Sequence, residues 1–164
     1  MTVSEELKKK AIGLGLCVPW QEGWGTPTKE ELVAKYIKGL DFCIEHDYPS
    51  VQYMKLHFDG IMQKQGVFAD DMVDEYISTP HRKIVVINGS SCGNIKCSGY
   101  SVVAVYVRHT SKVEIIAEEH ANTTVLVYDS ANVVVKNRGI GRVSVIQYGG
   151  RVKTDGEVTI KDRR

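Results

Sequence analysis

Few residues of this chain have both the type and the spacing that chemistry needs. Trp20 and Trp24 stand four residues apart in GLCVPWQEGWG, so two indoles are placed either to pack the loop against the helices as its own small core, the preferred reading, or to stack on a sugar or a base. His109 and Asp129 fall in the polar joints of two segments that read alike, VYVRHTSKVEI over 105 to 115 and VLVYDSANVVV over 125 to 135. Stacked on one another, those joints would offer an imidazole and a carboxylate to a small or glycan ligand. The run EEH at 118 to 120 carries two carboxylates and an imidazole, but on an extended chain neighbours point to opposite faces and cannot converge. Cys92 and Cys97 make a lone C-x4-C without the second half of a zinc site, and Cys17 and Cys43 are scattered, so all four read as reduced, mostly buried thiols. No P-loop, GxSxG, HExxH or glycine-rich nucleotide fingerprint is present. The expectation is therefore of no catalytic residues, no metal ligands and no cofactor.

The joints belong to a repeat. From Lys83 onward Val, Ile, Thr and Tyr replace helix formers and alternate with period two. Four copies are visible, beginning near residues 85, 105, 125 and 143, each with two short apolar strands. A fixed period near twenty residues is what a β-solenoid requires, because one coil cannot bury its apolar side alone and stacked coils make a continuous core. The expected inward residues include Val105, Val107, Val113 and Ile115, then Val125, Val127, Val133 and Val135. Two-sided and three-sided coils both fit. The competing architecture is an antiparallel β-sandwich or jelly roll, which also has short strands with frequent turns. RHTSK and YDSAN lack the Asn-Gly chemistry of tight hairpins, which favours the solenoid.

Before the repeat the apolar period is helical. Ser4 with Glu5 and Glu6 opens a first helix that ends at Gly13 and Gly15. Thr28 and Glu31 have capping-box spacing at the head of a second helix running toward Asp47, and Ser50 caps a third. ADDMVDEYIS reads as a last short helical piece before Pro80. The fold class is thus α+β, with a helical domain over 1–80 and a solenoid of about four coils over 81–164.

If the valines point inward, Tyr106, Leu126 and Ser144 form one outward column, and Glu114, Val134 and Lys153 another. Tyr106, Leu126 and Val134 are then apolar on a wet face and are the expected interface, covered by the helical half, a second copy or another protein. The formal charge of +1 gives no field toward nucleic acid, and no apolar run approaches the ~20 residues of a membrane span. A cytoplasmic origin is expected, because the N-terminus begins with acids and has no apolar leader core. The preferred function is a non-catalytic structural or assembly protein; the alternative is a small-ligand or glycan-binding module using Trp20, Trp24, His109 and Asp129.

Taken together, LGLCVPWQEGWG, KEELVAKYIKGLDFCIEHDYPS, KLHFDG, GVFADD and the paired VYVRHTS and VYDSANVVV resemble a group of small uncharacterised proteins of Bacteroides-type gut bacteria and their phages and prophages. The resemblance brings no function with it; it adds a phage- or prophage-encoded origin as an expectation for the assembly protein, which would be virion-associated if phage-encoded. Over 83 to 160 the architecture is also similar to the short polymerising solenoids of bactofilins and adhesins.

Overall fold

The computed structural model describes all 164 residues, which divide into two units, Met1–Gln65 and Gly66–Arg164. The first holds five helices, α1 (Val3–Gly13), α2 (Val18–Glu22), α3 (Lys29–Lys38), α4 (Leu40–Glu45) and α5 (Val51–Phe58), followed by a 3-10 turn at Met62–Gln65. Two of them start from a reciprocal capping box. At α3 the Glu31 amide donates to Thr28 Oγ1 at 3.2 Å, and the Thr28 amide donates to the Glu31 carboxylate. At α1 the cap is Thr2 rather than Ser4, with the Glu5 amide 3.1 Å from Thr2 Oγ1. Ser50 caps α5 as expected, accepting from the Tyr53 amide. The helix expected to run from Thr28 to Asp47 breaks at Gly39, where the indole of Trp20 lies so close that a Cβ would come within 3.3 Å of its Cη2.

The second unit is a two-sided parallel β-solenoid. Its strands are β1 (Val67–Ala69), β2 (Met72–Ile77), β3 (Arg82–Asn88), β4 (Cys92–Cys97), β5 (Val102–Val107), β6 (Lys112–Ala117), β7 (Asn122–Val127), β8 (Asn132–Asn137), β9 (Val143–Gln147), β10 (Arg151–Asp155) and β11 (Thr159–Asp162). The six odd strands stack in chain order in one sheet, the five even strands in the other. Every ladder is parallel, which removes the antiparallel sandwich or jelly roll. The central pairings join residues twenty apart, such as Val105 with Val125 and Val113 with Val133.

The twenty-residue coil is itself two ten-residue halves. Val85, Ile95, Val105, Ile115, Val125, Val135 and Val145 follow at steps of ten, alternate between the sheets and are fully buried. Ser91, Ser101, Ser111, Ala121 and Ala131 mark the same step at the corners, each small and buried. The turns keep time as well: Gly89, Gly99, His109, Glu119 and Asp129 all have positive φ, between 53° and 72°. A left-handed residue every ten positions reverses the chain so that the next three inward side chains meet the previous three across a dry interior.

Three expectations need correction. The unit boundary lies at 65/66, not 80/81, because ADDMVDEYIS is not helical: Met72–Ile77 is a strand paired in register with Cys92–Cys97. Its apolar spacing at 72, 73, 76 and 77 imitates a helix, and ladder formation with the next coil overrides that local pattern. The last visible copy is shifted by two. Leu126 pairs with Ile146, and Ser144 with Thr124, so Ile146 rather than Ser144 continues the Tyr106–Leu126 column. A two-residue slip preserves which face each side chain takes, so alternation alone cannot detect it.

Candidate functional site

The outward faces of the two sheets are built from different residues. On the odd sheet Tyr106, Leu126 and Ile146 stand side by side on β5, β7 and β9, with Ala104 and Thr124 along one flank. Along the other flank runs an aromatic ladder. Tyr106 and Tyr128 lie nearly parallel with centroids 6.4 Å apart, and Tyr128 and Tyr148 are stacked at 4.9 Å. Tyr128 and Tyr148 hold like positions on successive coils, which recur at the strand spacing of ~4.8 Å, while Tyr106 stands one row back, beside Leu126. Tyr148, at the end of the ladder, is 46% exposed.

On the even sheet the outward rows set charges among apolar residues, Lys96 and Lys136 beside Tyr76 and Ile116, and Glu114 and Lys153 beside Val134. Lys136 bridges to Glu114 at 3.6 Å, and Lys96 bridges to Glu118 at 3.3 Å. Val134 lies here, between Glu114 and Lys153, and lines a shallow groove with Lys112 and Arg151. The structure therefore brings Tyr106 and Leu126 together and puts Val134 on the opposite sheet, in a cationic setting.

His109 and Asp129 do meet at the turn between odd and even strands. The His109 amide donates to Asp129 Oδ2 at 2.9 Å, and the Gly89 amide donates to His109 Nδ1 at 2.8 Å. On the preceding coil the Ser90 amide donates to Asp70 Oδ1. Each side chain thus satisfies a backbone amide of the neighbouring coil, and the ladder spends its acceptors on holding the stack. EEH disperses as expected: Glu118 is in its ion pair, Glu119 occupies the left-handed turn position, and His120 stacks on Tyr100 with centroids 4.5 Å apart.

Trp20 and Trp24 line one cavity in the helical unit, of about 350 Å³, walled by α1, α2, α3 and α4. Leu7, Ala11, Leu32, Tyr36 and Phe42 make much of the wall. Polar atoms at the wall are tied inward: Trp24 Nε1 donates to Ser4 Oγ at 2.9 Å, and the Tyr48 hydroxyl donates to the Leu7 carbonyl at 2.6 Å. Burial pushes the Tyr48 phenol well above its ordinary value, so it stays a donor. Lys35 Nζ sits 5.9 Å from the Trp20 ring and 5.5 Å from the Trp24 ring, a cation held against two π faces. The pairing of indoles was legible from sequence; the cavity was not, because it depends on the helix break at Gly39.

No group of three His, Cys, Asp or Glu side chains is placed to hold a metal ion, and the four cysteines are unbridged. Cys43 and Cys97 are buried while Cys17 and Cys92 are exposed, so the expectation of mostly buried thiols holds for half of them. No helix is long and apolar enough to cross a membrane. Compared with models of known families, with curated proteins and with solved structures, the chain matches none.

Proposed function

We propose that this is a non-catalytic assembly protein, whose solenoid is a stiff body that joins a second copy of itself through the outer face of the odd sheet. The observation that carries the reading is the continuous apolar and aromatic surface of Tyr106, Leu126, Ile146, Tyr128 and Tyr148, whereas on the other sheet ion pairs and lysines interrupt the apolar residues. Apolar outward residues on three consecutive strands are costly to leave wet, at roughly 25 cal/mol per Å² of apolar surface. A second copy suits the face because it is self-matching: a two-fold apposition lays Leu126 and Ile146 against their equivalents and leaves tyrosine hydroxyls at a polar rim. With a formal charge of only +1, two copies repel each other weakly. A phage-linked setting is the biological context in which we place such a component.

Sedimentation equilibrium tests the reading. The average mass is expected to rise above the 18.3 kDa of one chain as concentration is raised into the tens of micromolar. A strict monomer across that range would overturn it.

A further inference from the structure

We propose that the cavity of the helical unit binds a small amphiphilic anion, an aryl or medium-chain alkyl body with a carboxylate, and that Lys35 receives the carboxylate. This is independent of self-association through the solenoid. Its volume, about 350 Å³, falls within the range of about 300 to 1,000 Å³ that small-ligand sites occupy. The lining is indole, phenyl, phenol and aliphatic carbon, and its buried polar atoms are already spent: Trp24 on Ser4, Tyr48 on Leu7. What the site has left for a ligand is therefore an apolar interior plus the charge at its rim. Lys35 and Lys38 line that rim with Asp41, an excess of one positive charge. The Lys35 ammonium has no carboxylate partner and is held beside both indoles at 5.5 and 5.9 Å, so it is positioned where the polar end of a seated molecule would emerge. A neutral apolar molecule would ignore that cation and a cationic one would be repelled. An anion gains a charge-assisted contact.

Both tryptophans of the protein line the cavity, so their emission reports occupancy directly. The probes are decanoate, kept below its micelle-forming concentration, and decylamine as the charge-reversed comparator. Decanoate is expected to change the emission saturably, with decylamine at least about tenfold weaker and Lys35→Gln weakening decanoate by about tenfold. Ala11→Leu, which fills the cavity from α1, is expected to abolish the response while circular dichroism shows the helices retained. Leu126→Glu on the solenoid is expected to leave the titration unchanged. The proposal is overturned if decanoate gives no saturable change, if decylamine and Lys35→Gln match decanoate and wild type, or if binding persists in a folded Ala11→Leu protein.

Discussion

The two sheets of the solenoid have the same inside and different outsides. Inward, β5 presents Val103, Val105 and Val107 and β6 presents Val113, Ile115 and Ala117, interchangeable sets that are all buried. Outward, β7 carries Leu126 beside Tyr106 and Ile146, whereas β8 carries Val134 between Glu114 and Lys153 and Lys136 beside Ile116. The ten-residue step governs only the inward half of each strand. Stacking demands shape and apolarity there, and nothing about the coil demands tyrosines outside. Chemistry that the fold does not need is where a docking role is to be sought, and the unbroken apolar and aromatic run lies along one sheet.

The largest effect expected from this contrast comes from placing one charge on each side of the same strand. Val125 is fully buried between Val105 and Val145, so Val125→Asp should cost about 4 kcal/mol or more in denaturant unfolding, enough to lose the solenoid. Its neighbour Leu126→Glu, facing out, should change the stability of the monomer by under about 1 kcal/mol. Equal costs would mean that the inside and outside are wrongly assigned.

A second break targets the even sheet at Gly93, which has φ of 145° and sits between Val73 and Val113 in the inward column. A Cβ there would collide with the Val73 backbone, so Gly93→Val should cost about 3 kcal/mol even though valine is the residue most columns use. At Gly13, the end of α1, a Cβ meets nothing, and Gly13→Ala should be neutral or stabilising.

The inward column also predicts a pH effect. Burial pushes the Cys97 thiol up from 9.0 to about 11, with the Thr123 hydroxyl pulling the other way. A folded-state value above the unfolded one contributes stability that is complete below pH 9 and is lost as pH rises toward 11, about 2 kcal/mol at the upper limit. Cys97→Val, which suits the neighbouring aliphatic positions, should flatten that alkaline decline in the unfolding of the solenoid. A decline of undiminished size would assign it to other groups.

The smallest effect belongs to the helical unit. Thr28→Ala removes the capping box at α3 and should cost about 1 kcal/mol, measured as a shift in the thermal unfolding of the helices.

Sequence alternation made the solenoid legible because the inward valines recur in register from β5 to β8, and the capping box made α3 legible because its two partners are three residues apart. Both signals are local or strictly periodic. The start of the solenoid at β1 and β2 was not legible, since Met72–Ile77 gains its strand character from pairing with a segment twenty residues away. Nor was the ten-residue half-step, because its corner residues are serine in some copies and alanine in others, and its turn residue changes from glycine to His109, Glu119 and Asp129. The outward column was half legible: Tyr106 and Leu126 follow from alternation, while Ile146 needs the true register. The aromatic ladder of Tyr106, Tyr128 and Tyr148 escaped the sequence for a similar reason, since it steps diagonally from one row to the next.

The assignment of docking to the odd sheet is tested most directly by comparing one charge on each outer face. Leu126→Glu and Ile116→Glu introduce the same group at outward positions of adjacent strands in sequence, β7 and β6. Sedimentation velocity over a dilution series should show wild type and Ile116→Glu associating alike and Leu126→Glu remaining a monomer. Association that survives Leu126→Glu but is lost in Ile116→Glu would put the interface on the wrong sheet and contradict the account.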